Sequence, residues 1–380
     1  MKNTKRSTKV GLMIIGFLFL IIIISASCIG CELNALAWET DQKDNENNKV
    51  QTTTTTAISP LTTTTVATTT APQAPEFLNP LTGTETTKEN SESRPFAICI
   101  GNTAAAMPQY GIGGADILVE APVEGGITRL MIISCEYSYT EVIGSVRSTR
   151  TYLSDIAKDF DAIQAYVGTS DLGNSTQLVG KDTMDYIIQN MTNTYYHDTQ
   201  RNAPHHIMTS ADRLIAGAKS LGYRTTYKNV KYPFEFVDYF DKAVLSNNDS
   251  LYVRIPFSSS QTTEFKYNSA DETYQRYQFS SLHTDETGKP LSFTNLIILF
   301  CDTTTYDKSS GTEISIDVSN GGTGYYVSGG KYTDIIWQRD ENGNLKFCNK
   351  NGAVLQLNRG KTYIGLVKIS TKNSVVLNSK

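Results

Sequence analysis

Residues 115–150 read ADILVEAPVEGGITRLMIISCEYSYTEVIGSVRSTR. Two apolar runs, Ile117 to Val119 and Ile127 to Ile133, flank the turn-forming segment Pro122-Val123-Glu124-Gly125-Gly126, which reads as strand, turn, strand. Leu130, Met131, Ile132 and Ile133 are apolar on both faces of the pleat, the pattern of a central strand covered on both sides. Glu120, Glu124 and Arg129 are therefore expected at the rim of a buried sheet. Further on, Ser148 or Thr149 is placed to cap a helix carried by Tyr152, Leu153, Ile156, Ala157 and Phe160 at helical spacing. That puts Arg147 and Arg150 at a helix N-terminus, where free N–H groups and the helix dipole favour an anion and guanidinium forks add bidentate donors. The same two arginines could instead neutralise Glu120 and Glu124, which would make the cluster structural. The residues alone leave both readings open.

Longer motifs surround this stretch: RPFAICIGN (Arg94 to Asn102), MPQYGIGGADILVEAPVEGGITRL (Met107 to Leu130), GSVRSTRTYLSDIAKDFDA (Gly144 to Ala162) and RNAPHHIMTS (Arg201 to Ser210). In these the chain resembles the YerB-like lipoprotein family of Gram-positive bacteria over roughly residues 78 to 375, at fixed positions too numerous for a chance short pattern. The resemblance implies an N-terminal domain of unknown function followed by a smaller C-terminal one. It supplies no catalytic residues. His206 stands where the family more usually shows Asn, beside the matching His205.

The chain begins MKNTKRSTK and runs apolar from Val10 to Ile24, a secretory signal that ends in Ser25-Ala26-Ser27-Cys28. Small residues directly before a cysteine form a bacterial lipobox, so residues 1–27 are expected to be removed and Cys28 to be lipidated, as by palmitate. Cys31 is the competing site, and an uncleaved membrane helix the competing reading of the apolar run. Either way the remainder is expected outside the cytoplasm, at the membrane. Residues 28–76 are polar, with threonine runs at 52–56, 62–65 and 68–70. Such a tract buries too little apolar surface to offset its ordering entropy and is expected to act as a disordered tether, reaching about 40 Å root-mean-square for some fifty residues.

The fold class expected is α+β: an α/β domain with a buried mixed sheet over residues 77–228, then a mostly antiparallel β domain over 229–380. In the first, Ala97 to Ile100 and Ala162 to Val167 join the quoted strands, and Ala211 to Leu221 forms a helix behind Thr209 or Ser210. In the second, short strand-like runs from Tyr252 to Lys368 are punctuated by turns at Ser328-Gly329-Gly330, Asn342-Gly343 and Asn351-Gly352. Cys99, Cys135, Cys301 and Cys348 all lie in apolar runs and read as buried thiols, although an oxidising exterior would permit disulfides.

A net charge of −4 without basic clusters beyond the signal argues against nucleic-acid binding. Short matches to phosphate-loop and penicillin-recognising motifs, at Gly360-Lys361-Thr362 and Ser328-Gly329-Gly330-Lys331, fall on hairpins where that chemistry has no support. The polar loop holding His197, Asp198, Arg201, Pro204, His205 and His206 can carry function. Its histidine spacing does not suit a metal, and no cofactor is expected. Candidate ligand-binding residues are thus Glu120, Glu124, Arg129, Arg147, Arg150, Arg201 and His205. The expected function is a lipid-anchored surface protein that binds an envelope protein or cell-wall component. The alternative is a wall-acting hydrolase or transferase using Glu120, Glu124 and His205.

Overall fold

Strands β1 (Phe96–Asn102), β2 (Ile117–Pro122) and β3 (Thr128–Ser134) are buried at every position, as their apolar runs require, and they carry Asn102, Glu120 and Arg129 into the interior with them. The computed structural model describes residues 72–136, 141–170, 181–187, 189–246, 248–308 and 311–378. The signal, the lipobox at Cys28 and the threonine runs lie outside the described residues. Among the described residues no helix is long and apolar enough to cross a membrane.

After β3, helix α1 (Thr151–Asp159) leads into β4 (Ile163–Tyr166), parallel to β1, and β5 (Thr183–Asp185) follows parallel to β4. Helix α2 (Ala211–Ser220) starts behind Ser210, whose hydroxyl accepts from the Arg213 N–H at 3.4 Å. Strands then succeed one another: β6 (Asn248–Asp249), β7 (Tyr252–Pro256), β8 (Thr262–Asn268), β9 (Thr273–Gln278), β10 (Asn295–Cys301), β11 (Gly322–Ser328), β12 (Lys331–Arg339) and β13 (Thr362–Lys368). The central sheet has the order β6-β12-β11-β10-β13-β2-β3-β1-β4-β5. Strand β13 is parallel to both neighbours, with Thr362 beside Asn295 on one side and Ile117 on the other. The sheet therefore runs unbroken across the division expected at residues 228 and 229, and the described residues from 72 onward form one compact unit.

Strands β7, β8 and β9 pair antiparallel in a second sheet. Burial alternates along β7 and β9, in contrast to the wholly buried β10, because only one face of this sheet is covered. Val253, Ile255, Phe265 and Tyr274 share a core with Leu118, Leu130 and Tyr363 of the central sheet and with Leu214 of α2. On the opposite face Tyr152, Leu153 and Ile156 of α1 pack with Cys99, Met131 and Ile133. The architecture is α+β, strand-rich with few helices: a mixed sheet through the N-terminal half and antiparallel pairing in the C-terminal part.

One local expectation changes and another holds. The residue capping α1 is Arg150, without a side-chain cap hydrogen bond, where Ser148 or Thr149 had been expected. The Thr149 hydroxyl instead turns inward to accept from Gln164 Nε2 at 2.9 Å, because the buried amide needs an acceptor. Cys99, Cys135, Cys301 and Cys348 are all free and buried.

Candidate functional site

Alternation along the β2–β3 hairpin sends Glu120 to the face it shares with Leu118 and Leu130, and Arg129 to the opposite face with Met131 and Ile133. Glu120 is 0% exposed. Its Oε1 accepts from Asn102 Nδ2 at 3.1 Å and Thr128 Oγ1 at 2.7 Å. Its Oε2 accepts from Arg276 Nη2 at 2.8 Å, the Tyr363 hydroxyl at 2.8 Å and Thr263 Oγ1 at 2.9 Å. The residue facing Glu120 across the β2–β13 pair is Gly365, where a Cβ would come within 3.2 Å of the Tyr363 ring that delivers this hydroxyl. Arg276 is also wholly buried and donates through Nη1 to Gln278 at 2.6 Å and to His283. Burial and the adjacent guanidinium push the His283 imidazole down to about 2, so it stays neutral, and its Nε2 meets Gln109 Oε1 at 2.8 Å. Glu120 is thus the hub of a network between the two sheets, not a rim residue. Both its oxygens are occupied and it faces away from Arg129, so it forms no shared cleft with Glu124 and His205.

The helix-covered face is arranged differently. Arg150 Nε donates to both oxygens of Glu124, at 3.1 and 3.0 Å, and Nη2 joins them. Burial alone would raise the Glu124 carboxyl, but hydrogen bonding and charge from Arg150 hold it below its ordinary value. The Ile314 N–H also donates to Glu124, at 3.1 Å. Arg201 is a loop staple, donating to the carbonyls of His205, Pro108 and Ala106 at 2.9, 3.2 and 2.7 Å.

Arg147 lies before α1, in an extended segment. The Gly101 N–H donates to Ser145 O at 3.0 Å and the Arg147 N–H to Cys99 O at 2.8 Å, while Val167 and Thr149 continue the pairing to Arg147 O and Gly168 O, each at 3.1 Å. Residues 145–149 therefore wedge between the carboxyl ends of the parallel strands β1 and β4, the place where open α/β sheets hold ligands. Arg147 Nη1 donates to Pro204 O, and its buried Nε has no partner.

Arg129 is 5% exposed, and among the described residues no hydrogen bond or ion pair engages it; its Nε is buried and unpartnered. Its cross-strand neighbours are Gly101 and Ala121, small enough to leave room over the sheet for a guanidinium. A Cβ at Gly101 would stand 3.3 Å from Ser145 Oγ and 3.4 Å from Arg147 Cγ, so Ser145 and Arg147 lie over the same face as Arg129. Ser145 Oγ is likewise buried without a partner. Burial first, and then the charges of Arg147 and Arg150, hold the Arg129 guanidinium down to about 10. The His205 imidazole is lowered by burial and then by Arg147, Arg201 and Arg129, and its Nδ1 has no partner. His206 instead stacks edge-on against His197, with ring centroids 4.7 Å apart.

The structure therefore brings Glu124, Arg129, Arg147, Arg150 and His205 to one face and leaves Glu120 on the other. Sequence reasoning passed over Ser145, although it sits inside the quoted motif, and Arg276, whose only signal is being in phase with Tyr274 on an alternating strand.

Residues 81–224 match the N-terminal domain, and residues 253–364 the C-terminal domain, of a protein family of unknown function, DUF3048. The chain is 30% identical over 294 residues to "Putative lipoprotein YerB" of Bacillus subtilis strain 168, covering 76% of this chain and 85% of that protein. A crystal structure of YerB protein from Bacillus subtilis superposes with a TM-score of 0.69 at 28% identity, covering 80% of this chain and 100% of that one.

Proposed function

The chain belongs to the DUF3048 family of YerB-like lipoproteins, and from that premise we propose that it is a membrane-tethered, extracytoplasmic binding protein whose Arg129 site takes an anionic group of an envelope component or partner. The carrying observation is Arg129 itself, a buried guanidinium without an acceptor. A charge removed from water and left unpaired costs several kcal/mol, and such a penalty is retained where function depends on it. Ser145 Oγ and Arg147 Nε, also buried and unpartnered, add two donors and no negative charge. The tether in this reading is acylated Cys28 followed by the threonine-rich segment, which holds the folded part away from the bilayer.

The hydrolase reading has less support. Glycoside hydrolysis needs two carboxylates flanking one bond, whereas Glu120 is enclosed by five donors and Glu124 is bound to Arg150.

Sedimentation with isolated cell envelopes tests the proposal. Residues 29–380, which lack the acylated cysteine, should pellet with envelopes, and the same protein carrying Arg129→Met and Arg147→Gln should remain in the supernatant. Equal pelleting of both would retire the site, and release of soluble wall fragments by the wild type would favour the hydrolase.

A further inference from the structure

Resting on the anion-site reading, we propose that the group bound beside Arg129 is the doubly charged phosphate of a phosphomonoester. The first argument is charge. Of the three arginines on this face, Arg150 is already neutralised by Glu124, whereas Arg129 has no ion pair and Arg147 donates only to a neutral carbonyl. Two guanidinium charges are thus left without a counter-charge among the described residues. A single carboxylate would neutralise one guanidinium and leave the other, the half-buried Arg147, without a counter-charge, whereas a phosphate dianion balances both.

The second argument is donor geometry. Arg129 offers an unengaged guanidinium fork, Arg147 its Nε, and Ser145 a hydroxyl, all over the sheet face at Gly101. These are donors converging from different chain segments, β3 and the wedge before α1. A tetrahedral group with three terminal acceptor oxygens can satisfy such a set, while the two coplanar oxygens of a carboxylate are consumed by one fork. Helix α1 begins at Arg150 without a side-chain cap, so its first-turn N–H groups add to the favourable potential for negative charge. No carboxylate is among the groups that shift Arg129, Arg147 or His205.

Such a phosphate reaches the protein either on a soluble metabolite-sized molecule or as a lipid headgroup, and the experiment separates these sources. Thermal melts of the detergent-solubilised full chain are recorded with inorganic phosphate, glycerol 3-phosphate or acetate at equal ionic strength. Flotation of residues 29–380, which lack the acylated cysteine, with vesicles containing phosphatidic acid or only neutral lipid runs in parallel. The expected result is a rise in melting temperature with the phosphates and none with acetate, with the apparent affinity falling roughly ten- to a hundredfold in Arg147→Gln. Ser145→Ala, a smaller change that leaves the charges in place, should weaken the phosphate response without altering the melt in its absence. Flotation with phosphatidic acid alone, without response to soluble phosphates, would support the phosphate class and identify a headgroup. Acetate stabilising as strongly as phosphate would overturn the phosphate assignment and leave the anion site standing. No response to any anion or vesicle, or an equal response in Arg147→Gln, would overturn both.

Discussion

Glu120 and Arg129 leave the same hairpin toward opposite faces of one sheet, and both are charged groups almost completely removed from water. Around Glu120 the second sheet supplies Arg276 and Thr263 while β13 supplies Tyr363, so every lone pair has a donor. Around Arg129 stand the cations Arg147 and Arg150, the Cys99 thiol, the Tyr152 phenol and the Ser145 hydroxyl, and none accepts a hydrogen bond from it. Burial alone therefore says little about what a charged residue does. The occupation of its hydrogen-bonding capacity separates a group that holds the fold together from one left open to a ligand.

The largest effect should come from removing the saturated side altogether. A fragment spanning residues 79–226 loses Arg276, Thr263 and Tyr363 from around Glu120 and exposes the β2 edge that β13 covers. It is expected to show no cooperative transition in calorimetry. One sharp transition would mean that the first half folds without these partners, and the two regions would differ less than the contrast requires.

A smaller but still large effect is expected within the full chain from Arg276→Met. Leaving Glu120 buried without its cation should cost about 3–5 kcal/mol in denaturant unfolding, and adding Glu120→Gln should recover part of it. A loss below about 1 kcal/mol would place this pair with solvated surface bridges and remove its structural role.

The smallest effect has the opposite sign. Arg129→Met replaces an unpaired buried charge by a side chain of comparable length, so stability should rise by about 1 kcal/mol, seen as a higher melting temperature without added ligand. A drop would reveal a partner for Arg129 in solution and dissolve the contrast with Glu120.

Much of the scaffold could be read from residues 115–150, because strands buried on both faces require long apolar runs and β3 has one. Likewise Asn342-Gly343 marks the turn from β12 into Leu345–Asn349, Gly343 taking a φ of 78°. The position of β13 could not be read, since its pattern reports two covered faces without saying which strands flank it. The partner of Glu120 was hidden for a similar reason: Arg276 lies 156 residues away in a run, TYQRYQ, whose alternation is that of a half-exposed strand. The Arg147–Arg150 motif drew attention to the face that also holds Arg129, but the division of labour within it depended on tertiary contacts. Arg150 takes Glu124, Arg147 sits in the wedge beside β1, and Arg129 is left over.

The placement of β13 also bears on how the chain matures. It is the last long strand to be made, yet it fills the gap between β2 and β10. At roughly 5–20 residues per second the hairpin carrying Glu120 and Arg129 exists for some tens of seconds before its covering strand is available. Through that interval the open edge of β2 can template pairing with another chain, the usual route to aggregation. Passage of the nascent chain therefore has a defined vulnerable period, ended when β13 pairs with β2. Truncations near the C-terminus should accordingly reduce yield more than their small share of the sequence suggests.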